Sequence, residues 1–529
     1  RGLAPDAARR ALEALAELLP RVRLDSGLLS DALLVAARLR AAHPVPERLL
    51  RRCLRELGRL VPGAGGEELA NLAWSLAKLR ERDARALEQI SREARARPGA
   101  LKVMAVSRIA WAFATLQAGD ARLFRALAAE AVQRRKELSP SAGMSNLAWS
   151  FAKVSLKHEE LFGAIAERAL VRLREFKTNE VASLVWAFAA CGVEGRPLLR
   201  AVAEHVAARL TTCKPQELSM LMWAYATQSV RSDALFDAAA VAIKAKPDAF
   251  KPQELANLAW SHAKLLIRSA DTLAALSKSA MKKGSRLKPQ ELSSLAWAHA
   301  TLRAEDAGIL GTIESRARLL LGDFGPQGLS NLVWSCATLQ RGPEFLRLVS
   351  GQSVRAVADF NYQDLSNHVW AFASMLVCDL ELFHAVSEQA SIKVHESRPN
   401  QLTNIAWSFA TVALHDESLF RRIATQALSN LEDFSPQGLS NLLWSFASVG
   451  IAHDELFDGV ADVLRRHWGE CDCRGLPRAS LTKLALDVLS ASWALASRDA
   501  ARGAFQDSAR AAMRSIGRAL DLTGAPLGL

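Results

Sequence analysis

Eleven tryptophans recur at nearly fixed spacing: Trp74, Trp111, Trp149, Trp186, Trp223, Trp260, Trp297, Trp334, Trp370, Trp407 and Trp444 follow one another at steps of 36, 37 or 38 residues. Around each the same phrase returns, as NLAWSLAKL at Trp74, NLAWSHAKL at Trp260 and NLLWSFASV at Trp444. A unit this small cannot bury its own apolar face. A period near 37 residues therefore commits the chain to a tandem array whose core grows along a line, neighbour on neighbour.

Each unit opens on a helix start signal. In KPQEL at Lys214, Lys251 and Lys288 the proline suits the first helical position, where its missing N–H costs nothing, and the glutamate faces the positive end of the dipole. The same slot reads GPQGL at Gly325 and SPQGL at Ser435. This first helix, helix A, carries leucine two residues before the tryptophan and a mostly aromatic slot two after it. Positions two apart point to opposite sides of a helix, so helix A is expected to be buried on two sides.

Asp83, Asp233, Asp416 and Asp454 then offer caps for a second helix, helix B. Helix B is anchored thirteen residues after the tryptophan by Phe124, Phe162, Phe236, Phe383, Phe420 or Phe457. Only the unit of Trp334 slips, with Leu346 one position early. The expected fold is an all-α solenoid of about eleven 37-residue helix pairs forming a superhelix. Residues 1–60 form a helical cap, residues 61–470 the array, and residues 471–529 a second cap with a decayed copy around Trp493.

No uninterrupted apolar run reaches the eighteen or so residues of a membrane span. The seven cysteines lack the paired spacing of a disulfide framework, which fits a reducing compartment. An excess of 67 Lys and Arg over 55 Asp and Glu, a formal charge of +12, favours a polyanionic partner. The chain opens at Arg1 with no initiator methionine, so a natural start and any targeting peptide are expected to precede it.

The residues three before, one after and four after each tryptophan have spacings that align them along helix A. They read Asn71, Ser75, Lys78; Arg108; Asn146, Ser150, Lys153; Ser183; Asn257, Ser261, Lys264; Ser294; Asn331, Ser335; Asn367; Asn404, Ser408; and Asn441, Ser445, with Ala or Thr in most remaining slots. Short polar groups that vary on an invariant scaffold are what a modular reader of bases needs. They are equally what a buried hydrogen-bond ladder needs, and both readings stand open. Lys177, Lys214, Lys251 and Lys288 recur at the lip of helix A, where they would neutralise phosphates or simply be solvated.

His262 and His299 fill the slot held elsewhere by Phe113, Phe188 or Tyr225 and read as core histidines; Cys336 fills it too. His467, Cys471 and Cys473 lie close in sequence but lack the second pair of a structural zinc site. There is no phosphate-binding glycine loop, nucleophile elbow or zincin motif, so neither catalysis nor a cofactor or metal is expected.

The phrase seen as FKPQELANLAWSHA (Phe250 to Ala263) and FSPQGLSNLLWSFA (Phe434 to Ala447) resembles the octotricopeptide repeat and the related leucine-rich segments of FAST-kinase-like proteins, over about residues 60–470. The resemblance implies an organellar factor, of the mitochondrial matrix or alternatively the chloroplast. Such a factor binds messenger or ribosomal RNA as a single strand and acts in its processing, stability, translation or assembly, alone or with other RNA-processing proteins. Such proteins often end in a RAP domain; the segment after residue 476 reads instead as helix, which leaves a binding protein. The alternative is a protein-interaction scaffold of the armadillo or HEAT type.

Overall fold

The computed structural model describes residues 5–97, 99–139, 141–469, 473–497 and 503–522. These residues form twenty-seven α-helices joined by short turns, with no strand among them. The contacts resolve two compact units, Arg1–Ser279 and Ala280–Leu529. In the first, the A-helices Gly66–Leu79, Val103–Thr115, Ser141–Lys153, Thr178–Ala190, Pro215–Thr227 and Pro252–Lys264 pack each on the next. In the second, Pro289–Leu302, Pro326–Thr338, Tyr362–Ser374, Pro399–Thr411 and Pro436–Ser448 do the same. Within each unit the B-helices form a second layer, and the chain is a helical solenoid.

The local chemistry explains the regularity. Proline is the first helical residue at Pro215, Pro252, Pro289, Pro326, Pro399 and Pro436. Each A-helix ends on a residue in the left-handed region six after its tryptophan, such as Ser155 (φ 54°), Leu376 (φ 53°) or Gly450 (φ 72°). There Ser155 N donates to the Ala152 carbonyl at 3.1 Å and Leu156 N to the Phe151 carbonyl at 3.0 Å, so carbonyls left over by the helix are satisfied in a Schellman turn. Three residues on comes the B-helix cap. Asp83 accepts from Ala86 N at 2.9 Å and Asp416 from Leu419 N at 3.0 Å. Asp233 and Asp454 correct the sequence reading. They stand one residue later, as first helical residues behind Ser232 and His453, where the dipole still favours them.

Successive repeats are stapled through the B-helix anchor, which meets the aromatic slot of the following A-helix edge to face. Phe124 lies 5.0 Å from Phe151, Phe162 4.9 Å from Phe188, Phe383 5.1 Å from Phe409 and Phe420 4.9 Å from Phe446. Each such pair adds roughly 0.5–1.5 kcal/mol beyond its buried area. The slip at Trp334 is absorbed in a loop one residue shorter: the helix Pro343–Ala356 starts early and still buries Phe345 and Leu346.

The ends repeat the same plan. Ser26–Leu39 and Glu47–Leu60 pack on the first A- and B-helices, preceded by Pro5–Leu18. Arg478–Ala496, which carries Trp493, packs on the last A-helix, and Gly503–Leu522 on the last B-helix. The segment read as continuous helix after residue 476 is thus two helices, with residues 498–502 outside the described set. No described helix is long and apolar enough to cross a membrane.

Candidate functional site

At about 100° per residue, the positions seven and three before the tryptophan, the tryptophan itself and the position four after it fall within about 60° of one another. This is the outward stripe of helix A in the structure. In the repeat of Trp260 it runs Gln253 exposed, Asn257 and Trp260 half-buried, Lys264 exposed. The expectation that the tryptophan side of helix A is core is therefore corrected: all eleven indoles are half-buried on this stripe, while Phe151, Phe188, Phe409 and Phe446 opposite are fully enclosed.

The position after the tryptophan lies on the far edge of the arc and turns inward. Ser75, Ser150, Ser261, Ser335, Ser408 and Ser445 are all buried. The hydroxyls of Ser150, Ser261, Ser408 and Ser445 each donate to the carbonyl of Asn146, Asn257, Asn404 and Asn441, four residues back, at 2.6 Å, and Ser335 donates to Asn331 at 2.5 Å. Those five serines belong to the ladder, and Ser75, whose hydroxyl has no partner, is enclosed with them, so all six lie away from the surface where a ligand would bind.

The remaining candidates stay at the surface. Asn146 is exposed, and Asn71, Asn257, Asn331, Asn367, Asn404, Asn441, Ser183 and Ser294 are half-buried. Three are tied down. Arg108 donates to Asn71 Oδ1 at 3.0 Å and pairs with Glu67 at 3.4 Å. Asn367 donates to Ser330 at 3.1 Å and accepts from Gln363 at 2.7 Å. By contrast, the side-chain amides of Asn146, Asn257, Asn331, Asn404 and Asn441 have no hydrogen-bond partner among the described residues.

Lys78, Lys153 and Lys264 are exposed at the end of the stripe, and the Lys78 ammonium stands 5.4 Å from the Trp74 ring and 4.9 Å from that of Trp111. Such contacts are worth roughly 0.5–1 kcal/mol at the surface. Lys177, Lys214, Lys251 and Lys288 are the exposed N-caps of their A-helices. Their backbone N–H groups donate to Glu180, Glu217, Glu254 and Glu291 at 3.0, 3.2, 2.7 and 2.7 Å, and their ammonium groups make no ion pair among the described residues.

Sequence reasoning missed three features. One is the indoles themselves, which stack from repeat to repeat: Trp186 to Trp223 at 6.4 Å and Trp223 to Trp260 at 6.5 Å in one unit, Trp297 to Trp334 at 6.5 Å in the other. Another is the amide row seven before the tryptophan: Asn179, Gln216, Gln253, Gln290, Gln327, Gln363 and Asn400, all exposed, and the half-buried Gln437. Its recurrence, one helical turn from the asparagine slot, was the available signal. The third is that Lys102 and Arg398 occupy the same N-cap as the four lysines.

His262 and His299 are core residues, with Nδ1 2.8 and 2.9 Å from the Leu258 and Leu295 carbonyls; burial lowers the pKa of both below the ordinary histidine range. Burial likewise pushes the Cys336 thiol up to about 12, which keeps it protonated and unreactive. Cys471 lies outside the described residues, and among those described no group of His, Cys, Asp and Glu is placed to hold a metal ion. Several acidic residues on B-helices form exposed pairs with arginine, such as Glu417 with Arg421 and Glu314 with Arg318, each at 2.6 Å.

Three solved structures align over most of the chain. A chain of the AP-3 complex, itself a homology model in an intermediate open conformation, is 10% identical, with 98% of this chain and 93% of that chain covered at a TM-score of 0.29. APUM23 with GGAAUUGACGG is 12% identical, with 98% of each covered at 0.19. The SYS-1/POP-1 crystal complex is 9% identical, with 96% and 99% covered at 0.16. Superpositions this loose carry no functional argument. No curated protein matches the chain. The family described as RNA-editing substrate-binding complex 6 protein matches residues 35–245 and 224–468, most of the array.

Proposed function

The chain belongs to the RNA-editing substrate-binding complex 6 protein family, and from that membership we propose that it binds single-stranded RNA along the outward stripe of its A-helices, as a non-catalytic member of an RNA-processing assembly. The observation that carries the reading is the combination each regular repeat presents: exposed amides and a half-buried indole on one stripe, and in many a cation at the start of the same helix. A lysine at a helix N-terminus opposes the dipole, so its repetition there, unpaired, makes sense when an anion shares the site.

Indoles stack any base, worth roughly 1–3 kcal/mol each. Amides of the stripe discriminate base edges, and the N-cap cations hold phosphates. One base per repeat gives a footprint of about eleven nucleotides. The octotricopeptide resemblance supports placing the protein in an organelle, the mitochondrial matrix first and the chloroplast second.

A protein partner is favoured by a separate feature. Val171, Leu319 and Ile392, at corresponding places near the ends of their B-helices, are 77%, 75% and 65% exposed. We read the recurrence of an open aliphatic side chain at one place in the repeat as a docking point for another chain.

The test is binding of the purified chain to a randomised single-stranded RNA pool at two salt concentrations. A recovered motif of about eight to eleven nucleotides that persists at the higher salt is expected. Absence of enrichment, with binding lost steeply as salt rises, would leave only charge and sink base recognition.

A further inference from the structure

The third residue of each A-helix decides whether the groove toward the preceding A-helix is filled. In most repeats it is. Glu254 and Glu291 are buried there, folded back on the N-cap N–H groups. Glu180 accepts from Ser141 of the preceding A-helix at 2.7 Å, and Gln401 donates to Gln363 of the preceding A-helix at 2.8 Å.

In the repeat of Trp444 that residue is Gly438. Only the Thr403 hydroxyl crosses the groove there, donating to the Gly438 carbonyl at 3.3 Å, and beside that contact the space between Pro399–Thr411 and Pro436–Ser448 forms an open cavity of about 580 Å³. That volume lies in the range of small-molecule sites, roughly 300–1,000 Å³. Gly143 and Gly328 make the same replacement, but at Gly143 the Ser107 hydroxyl of the preceding A-helix donates to its carbonyl at 2.9 Å, and at Gly328 the Phe324 ring comes within 3.0 Å of where a Cβ would sit, against 3.7 Å for Phe434 at Gly438.

The walls of the cavity are unusual for a packing gap. Asn400 and Asn404 face it from one helix, Gln437 and Asn441 from the other, and Arg398 stands at its lip. None of these five side chains has a hydrogen-bond or ion-pair partner among the described residues. Four amides offer up to eight donors and eight lone pairs, which suits the polar edge of a heterocycle and is a poor match to an apolar ligand. Asp433 also lines the cavity, and its carboxylate disfavours a bare phosphate while accepting from ring N–H or amino groups.

We propose that this cavity is a base-reading subsite, in which one nucleobase of a bound single-stranded RNA inserts between the two A-helices while Arg398 holds its phosphate. The proposal rests on the RNA-binding reading and deepens it. Where the neighbouring grooves are closed by glutamate or glutamine, bases reach only the outer stripe. At Gly438 one base enters the groove.

Gly438→Glu tests it with a residue that sister repeats already carry. The new Cβ meets the Ser435 and Thr403 hydroxyls at 3.3 and 3.4 Å and the Phe434 ring at 3.7 Å, so a shift of a few tenths of an ångström in the two hydroxyls accommodates it. The carboxylate then caps the helix and fills the cavity with negative charge. A second variant, Gly438→Gln, fills the same space with the neutral residue that the preceding repeat carries as Gln401 and leaves every amide of the stripe in place.

Full-length wild type and both variants are carried through selection on a randomised single-stranded RNA pool, with circular dichroism and unfolding midpoints confirming the fold. The expected result is a wild-type motif that loses base preference at one position in both variants. Affinity for the parent RNA should fall about tenfold while the rest of the motif is kept. Variants that recover the same motif at unchanged affinity would overturn the subsite and leave the RNA-binding reading intact. A wild type that enriches no motif would overturn that reading itself.

Discussion

Acidification should loosen the unit Ala280–Leu529 through His368, and the size of the effect follows from its surroundings. His368 occupies a leucine slot two before Trp370 and is fully buried, with Nδ1 2.8 Å from the Asp364 carbonyl, Nε2 3.0 Å from Ser353 Oγ and its ring 4.6 Å from Phe360. Burial holds its pKa at about 4, below the ordinary 6.5. The folded state keeps the ring neutral while the unfolded chain protonates it below pH 6.5. Between pH 6.5 and about 4 the unfolded state therefore binds more protons, and stability falls as pH falls. The difference amounts to roughly 3 kcal/mol.

Other groups modify this. His299, also lowered by burial, adds in the same direction. Asp364, whose carboxyl burial raises above its ordinary value, returns some stability at the acid end as it protonates. The assay is urea unfolding followed by tryptophan fluorescence between about pH 7.5 and 4.5. Wild type is compared with His368→Leu combined with Ser353→Ala, which leaves no orphaned hydroxyl. The double variant should lose less stability on acidification, by roughly 3 kcal/mol. Parallel pH profiles would refute the assignment of the effect to a buried neutral imidazole.

Leu376, 78% exposed at φ 53°, should become more favourable as glycine: Leu376→Gly is expected to raise stability by about 0.5–1 kcal/mol in chemical denaturation, and a loss would show that its side chain matters. Cys336→Phe restores the aromatic slot beside a cavity of about 160 Å³ lined by Ile313, Leu332 and Phe345, and should stabilise by roughly 1–2 kcal/mol; a lower unfolding midpoint would mean overpacking. Asn257→Ala should change base preference at one position in pool selection, whereas Ser261→Ala, which removes only an inward hydroxyl, should leave the motif unchanged; a motif change from Ser261→Ala would return the buried serine to the interface. Lys251→Ala should weaken all sequences alike and reduce the salt slope by about one, and sequence-dependent weakening would argue against a phosphate contact.

Much of the fold is legible in the residues because the signals are local. Proline at the first helical position and acidic caps such as Asp83 and Asp416 act within a few residues, so spacing locates both helices; the left-handed residue six after each tryptophan is glycine only at Gly192 and Gly450 and was not legible. Asp233 and Asp454 show the margin: one residue separates a cap from a first turn, and composition tolerates acid in both. The candidate site was less legible. Asn257 and Lys264 lie on the outward stripe, whereas Ser261, grouped with them by spacing, turns inward, and Trp260 and Gln253, which share the stripe, were not singled out.

What the amino-acid sequence determined by itself is the repeat, its helical nature and the register of its caps, since backbone hydrogen bonding and turn chemistry answer to near neighbours. Only the tertiary structure decided which arc of helix A faces outward. Spacing groups residues by angle but supplies no zero for it; the zero comes from packing each A-helix against the next, which drew in the small residue after the tryptophan and left the indole half out. The same holds for Gly438. A missing side chain reads as a cap variant in one dimension and becomes a cavity only because Asn400 and Asn404 of the preceding repeat stand across from it.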